Sequence, residues 1–452
     1  MFLVPRCCSS VPFIVKRIQD SNTLELPLGL TQTVGAPRVG RDRTLPDELQ
    51  AFCEFGEPTR CLTTQGRTFE GDPLDVPTFV NEFWTAQQRQ ASSLHEVSYR
   101  ACFKPQLPRF FIQRLTLPGD LVYDPFMGRG TTPVEAALLG RVPGGCDINP
   151  LSVVLTRPRL NPPTIEEIRR RLDTLDLEKP GDEPEELLAF YHPTVLRGIS
   201  SLKRYFRDRE SSGMLDAVDE WIRMVSLNRL TGHSSGFFSV YTLPPNQAVS
   251  AKSQVKINQR RNQVPPIRDI RQVLLKKSRQ LLGDVDGGVR SMLAGVASKA
   301  CLFTGLSHNV PGMPSGSVSL VVTSPPFLDI VQYDTDNWLR CWFLGLDSKK
   351  VQITMARKVE DWQQAMTSVF LELGRMLRLG GHVAFEVGEV RHGLIKLEDA
   401  VIPCGVKAGL DPVLILINDQ EFTKTANCWG VDNMSKGTNT NRIVLFQKKQ
   451  QC

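Results

Sequence analysis

LVYDPFMGRGTTPVEAALLGRVPGGCDI, residues 121–148, changes its pattern three times. An apolar run ends at Asp124-Pro125. Gly128 and Gly130 then bracket Arg129, and PVEAALLGR follows with helix-forming composition. VPGGCDI closes the stretch and carries a second acid, Asp147. The order is strand, tight turn, helix, strand. A helix between two strands supplies the crossover that parallel pairing needs. The two glycines let the backbone turn sharply and approach a ligand closely, and the helix start offers free N–H groups. In open α/β sheets, ligands sit at such carboxyl ends of strands. Asp147, at the next strand end, suits ribose hydroxyls. The same residues also suit a purely structural strand-to-helix turn.

Working outward, the alternation resumes after residue 315. SVSLVV predicts a strand, EDWQQAMTSVFLELGRMLRL an amphipathic helix, and HVAFEVGEV a strand after Gly380-Gly381. DPVLILIN and TNRIVLFQKK predict closing strands. Strands alternating with helices predict an α/β fold, a doubly wound, mostly parallel sheet of Rossmann-like kind. Residues 161–304 are long, charged and helical in pattern, and are expected to be an insertion between two halves of one sheet, 76–160 and 305–452. Residues 1–75 are expected to be a loop-rich extension, and 76–115 to be mainly helical.

Between two of the later elements lies VVTSPPFLDI, residues 321–330. Adjacent prolines lack the N–H that a helix or a central strand needs, so the strand must stop at Thr323-Ser324. Stiff backbone at a strand end is a common place for chemistry, although a capped strand entering a proline turn has the same composition.

Bulk properties limit the alternatives. The chain has 452 residues, 41% hydrophobic and 23% charged, as in an ordinary globular protein. No apolar run approaches the ~18 residues of a membrane span, and the N-terminus is a poor secretory signal. Eleven cysteines occur without a CxxC pair, and six histidines are scattered. Zinc-type spacing is absent, so no metal is expected, and the cysteine usage suits a reducing cytoplasm. The net charge of +6 permits a polyanionic partner without requiring one. Nine basic residues stand between 252 and 279 against the single acid Asp269. Lys256, Arg260, Arg261 and Arg268 among them are candidates for phosphate contacts, or for a merely solvated face.

DPFMGRGTT followed by CDINP, combined with TSPPF, resembles the S-adenosylmethionine-dependent DNA amino-methyltransferases. These methylate cytosine N4 or adenine N6. FKPQLP at 103–108 resembles the family's helix entry before the cofactor loop. The likeness covers about residues 100–150 and 315–450. It implies that Asp124, Pro125, Phe126, Gly128 and Gly130 hold the cofactor, with Thr131 or Thr132 on its carboxylate. Asp147 would take the ribose and Ile148 cover the adenine, and Lys104 matches the helix entry. It further implies that Ser324, Pro325, Pro326 and Phe327 form the catalytic loop. Ser324 and the Pro325 carbonyl would accept from the amine, while Phe327 stacks on a flipped base. Serine at the first motif position favours cytosine over adenine. It also implies that the insertion, 161–304, is the region that recognises the DNA target, and the partners implied are double-stranded DNA and a restriction endonuclease as a separate chain. An RNA amino-methyltransferase and a non-catalytic nucleic-acid-binding relative are the rival classes. Intact motif residues and the order of the two motifs around the insertion argue against them.

Overall fold

Val318–Thr323 is buried at all six positions, as expected of an interior strand covered on both faces. It lies within a nine-stranded sheet in a computed structural model. The model describes residues 44–85, 91–99, 102–242, 248–326, 333–347, 358–387, 389–390, 395–419 and 440–449. In chain order the strands are β1 (Arg60–Arg67), β2 (Pro73–Asn81), β3 (Leu121–Asp124), β4 (Val142–Asp147), β5 (Cys301–Thr304) and β6 (Val318–Thr323). They are followed by β7 (Leu377–Val387), β8 (Asp411–Asp419) and β9 (Thr440–Gln447). Their spatial order is β1-β2-β8-β9-β7-β6-β3-β4-β5. The run β7-β6-β3-β4-β5 is parallel throughout. β9 is antiparallel to both its neighbours, β7 and β8. The sheet is therefore doubly wound and mostly parallel, as the alternating pattern implies.

The strand order reverses between β3 and β6. β4 and β5 continue outward on one side and β7 on the other, which leaves a crevice at the carboxyl ends of β3 and β6. Both motifs begin there. Helices cover the sheet. α1 (Leu45–Gln50) and α2 (Gln106–Leu115) precede β3, while α3 (Thr131–Leu138) and α4 (Leu151–Leu160) follow the two acid-bearing strand ends. The chain then runs through α5 (Ile165–Thr174), α6 (Pro193–Ser211), α7 (Ala217–Arg229), α8 (Ala251–Arg261), α9 (Ile270–Leu281) and α10 (Gly287–Ala297). α11 (Tyr333–Leu344) and α12 (Val359–Met376) separate β6 from β7, and α13 (Leu397–Lys407) precedes β8. On α12, Trp362, Met366, Val369, Phe370 and Leu373 are buried at helical spacing, which turns one stripe to the sheet.

The expectation for the N-terminal third needs correction. Residues 60–81 are neither loop nor helix but an antiparallel hairpin, added to the sheet beside β8. Among the described residues between 82 and 105 only the single 3-10 turn Ser93–His95 forms, and regular helix starts at Gln106. Pro73 and Pro77 lie outside the stretch Thr78–Asn81 that pairs with β8, so their missing N–H groups cost that ladder nothing. The helical block 161–300 is helical as expected. One apolar core joins it to the sheet side: Val134 of α3, Leu155 of α4, Trp221 of α7 and Phe343 of α11 belong to the same buried cluster.

Candidate active site

Asp124 ends β3, and its side chain is almost completely buried. The Thr323 hydroxyl, at the end of β6, donates to Asp124 Oδ1 at 2.6 Å, and the Phe126 amide donates to the same oxygen at 3.0 Å. Thr132 Oγ1, on the first turn of α3, donates to the Val322 carbonyl at 3.0 Å. The segments around the glycine turn and the proline turn are thus cross-braced at the reversal point, though nearly two hundred positions apart in sequence. Burial pushes the Asp124 carboxyl up to about 7, against the opposing pull of Thr323 and the Phe126 amide.

The glycine turn has a geometry that its sequence requires. Gly128 and Gly130 have φ of 50° and 76°. Asp147 Oδ2 accepts the Gly128 amide at 2.8 Å, and its Oδ1 accepts the Asn149 amide at 2.9 Å. Each carboxylate oxygen can accept a second bond, so Asp147, half-buried, keeps capacity for hydroxyls. Burial pushes its carboxyl up. Phe126 and Ile148 are half-buried, while Pro125, Thr131 and Thr132 are buried. Lys104 stands exposed at the entry to α2.

Two arginines that the sequence did not single out hold the turn from behind. Arg129 Nη1 donates to the carbonyls of His95 and Val97 at 3.3 and 3.0 Å. Arg159, wholly buried, donates to the Leu94 carbonyl at 3.1 Å and to the Arg129 carbonyl. Burial lowers its guanidinium to about 9. Beneath them Glu135 bridges His95 Nε2, at 2.8 Å, and Arg109.

On the other side of the reversal, Ser324 and Pro326 are half-buried and Pro325 is buried. The Pro326 carbonyl accepts Trp362 Nε1 at 3.0 Å, which fixes the turn to α12. Thr323 pairs with Phe385, so Ser324 and Glu386 come abreast at the ends of β6 and β7. Burial pushes the Glu386 carboxyl up to about 7, opposed by hydrogen bonds from Asn441 and Ser324. Phe327 lies outside the described residues. The sequence signal for Glu386 is a single acid inside the apolar run HVAFEV.

Residues 70–155 match the family model described as DNA methylase, which takes in the whole glycine turn and both acids. Over this stretch the chain is similar to the DNA amino-methyltransferases. It is similar to the Type II methyltransferase M.MjaII of Methanocaldococcus jannaschii, with 31% identity over 21% of this chain and 18% of that one. It is also similar to M.BsoBI of Geobacillus stearothermophilus, with 21% identity over 62% of this chain and 58% of that one. M.MvaI of Kocuria varians is 36% identical over 28% of this chain and 25% of its own length. The alignments therefore span less than two thirds of each of these methyltransferases.

The basic stretch does not act as one surface. Lys256, Arg260 and Arg261 are exposed on α8, and Arg268 is half-buried. Arg271 turns inward instead and donates to the Leu172 and Leu175 carbonyls. Lys277 is buried, and burial lowers its ammonium to about 8. Among the described residues, no helix is long and apolar enough to cross a membrane.

Proposed function

We propose that this chain is a site-specific DNA methyltransferase. It would move a methyl group from S-adenosylmethionine to the exocyclic amine of a base extruded from duplex DNA, with cytosine N4 as the favoured target. The observation that carries the proposal is the brace between the two motif segments, Thr323 to Asp124 and Thr132 to Val322, at the sheet's reversal point. A donor held by one turn and an acceptor held by the other then share one crevice.

The residues fit the cofactor. Backbone at positive φ allows a close approach at Gly128 and Gly130. Asp147 has acceptor capacity for ribose hydroxyls, and Phe126 and Ile148 are half-buried apolar side chains that follow the two strand-end acids in sequence. Asp124 is a buried acid suited to a cationic amino group, and such a group would draw its carboxyl back down. When bound, S-adenosylmethionine supplies a methyl group on a sulfonium, ready for nucleophilic attack.

The chain's own residues supply the rest. An exocyclic amine is a poor nucleophile because its lone pair is delocalised into the ring. Acceptors on its N–H bonds favour the tetrahedral geometry of attack. Ser324 Oγ and the Pro325 carbonyl are those acceptors, held in advance by the proline pair and by Trp362. An ionised Glu386 would accept a hydrogen bond from the Ser324 hydroxyl, which keeps its proton and turns an oxygen lone pair toward the amine. Phe327 stacks on the extruded base and helps offset the few kcal/mol that extrusion costs. Serine at position 324, where the family carries Asp or Asn for adenine, supports cytosine. Double-stranded DNA as substrate fits a cytoplasmic protein and a restriction endonuclease as a separate partner chain.

The test is transfer of tritiated methyl to unmodified genomic DNA, followed by mass spectrometry of its nucleosides. N4-methylcytosine is expected. N6-methyladenine would move the target to adenine, and label on RNA but not on DNA would reject the proposal.

A further inference from the structure

The connection between α8 and α9, Asn262-Gln-Val-Pro-Pro-Ile-Arg-Asp269, leaves its apolar side chains outside. Val264 is 81% exposed and Ile267 69%. A lone exposed apolar residue needs no explanation. Here two β-branched side chains flank Pro265-Pro266, in a turn whose backbone is fixed at both ends. Asn262, at φ 47°, is the one non-glycine residue with positive φ among the described residues, and it closes α8. Gln263 Nε2 donates to the Tyr241 carbonyl and to Asn258 Oδ1, at 3.0 and 2.9 Å. The prolines set their own φ, and Asp269 caps α9 by accepting the Gln272 amide. The apolar tips are therefore held out in one geometry, so little ordering would be needed on binding.

The charged residues of α8, which leads into this turn, are all cationic. Lys252, Lys256 and Arg260 recur every four residues on α8, about 6 Å apart along the axis, and all three are exposed. Arg261 lies 3.8 Å over the Tyr241 ring. Arg268, between Ile267 and Asp269, has a buried Nε with no hydrogen-bond partner among the described residues. No acid occurs on α8. Fixed apolar tips beside a row of cations are complementary to a nucleic-acid duplex, in which phosphates flank grooves floored by base edges and steps. The helix is also tied to the catalytic side of the molecule, because Trp338 Nε1 of α11 donates to the Ala248 carbonyl, just before α8, at 3.1 Å.

We propose that the Asn262–Asp269 turn enters a groove of the substrate duplex and packs Val264 and Ile267 against its bases, while Lys252, Lys256 and Arg260 hold the adjoining phosphates. The proposal rests on the DNA substrate proposed above. The two kinds of residue have separable signatures, because phosphate contacts set the salt dependence and groove contacts do not.

The full-length protein is compared with two double variants, Val264→Ser/Ile267→Ser and Lys256→Gln/Arg260→Gln. Each is tested for tritiated methyl transfer to plasmid DNA and for salt-dependent binding to a labelled duplex taken from the methylated positions. S-adenosylmethionine affinity and Tm serve as fold controls, and both should be unchanged because all four side chains are exposed. The lysine–arginine variant should reduce the slope of log K against log salt by about 2, whatever the sequence. The apolar variant should keep the slope, weaken duplex binding at least tenfold, and bind the separated single strand as the parent does. An apolar variant that binds and methylates duplex like the parent would overturn the insertion and leave the DNA assignment standing. A parent protein that neither binds nor methylates DNA would overturn both.

Discussion

Gly130 carries two constraints at once. Its φ of 76° is a region that L-residues avoid, and a Cβ there would lie 2.1 Å from Thr156 Oγ1 of α4. Gly130→Ala should therefore destabilise the fold by about 2–4 kcal/mol, combining left-handed strain with overpacking, and should weaken S-adenosylmethionine binding, as read by denaturant titration and calorimetry. Adding Thr156→Gly should recover only the steric part. Full recovery would show that the backbone conformation costs nothing. The acids of the site make a second prediction. Glu386 and Asp124 are each pushed up to about 7 by burial, whereas an unfolded carboxyl titrates near ~4. Between those values the folded chain binds protons that the unfolded chain has released, so stability falls as pH rises from about 4 to about 7. The slope is at most ~1.4 kcal/mol per pH unit for each group. Glu386→Gln should make the Tm–pH slope shallower in that window. It should also flatten the rise in methyl transfer through neutrality that an ionised Glu386 would give. An unchanged slope would mean that Glu386 does not titrate there. At this scale the sequence was informative about motif residues and silent about their braces. Asp124 and Gly130 stand in a recognisable pattern, but that Thr323 would reach Asp124 depends on β3 and β6 being neighbours.

At the scale of elements, legibility followed the strength of the hydrophobic pattern. β6 is buried at every position and α12 has a clean helical stripe, and both are where the pattern predicts, except that Leu377–Leu379, read as the end of the helix, begin β7. The β1–β2 hairpin was missed because its residues contradict strand propensity. Gly66, Pro73 and Pro77 sit within it, and β1 is an edge strand with mostly exposed side chains. α13 was missed for a similar reason, since Pro403 stands inside it. The hairpin's junction depends on Asn418 of β8, which is wholly buried. Its Oδ1 accepts the Phe83 and Trp84 amides at 2.6 and 3.2 Å, and its Nδ2 donates to the Trp84 carbonyl at 3.4 Å. Asn418→Ala would take this acceptor from the buried Phe83 and Trp84 amides, at about 1–3 kcal/mol in all. Hydrogen exchange should accelerate at Phe83 and Trp84 well beyond the change at Val444, in the neighbouring β9. Equal acceleration everywhere would mean that Asn418 contributes only to global stability.

For the whole molecule, helical periodicity showed that residues 161–300 have apolar faces but not what those faces cover. The covering elements are α3, α4 and α11, which belong to the two motif-bearing halves of the sheet, and Trp221 is buried in the core they share. A block sharing that core cannot open without exposing the helices that carry the glycine turn and follow the proline turn. The helical block and the sheet should therefore unfold in one transition. Hydrogen exchange in increasing urea should show amides of α7 and of β6 losing protection at the same denaturant concentration. Ligand linkage sharpens the test, because S-adenosylmethionine at a hundredfold excess over its Kd should add about 2.7 kcal/mol to whatever unfolds cooperatively with its site. The midpoints of α7 and β6 should move together by that amount. If β6 shifts while α7 stays where it was, the helical block is an independent domain and its shared core contributes no cooperativity.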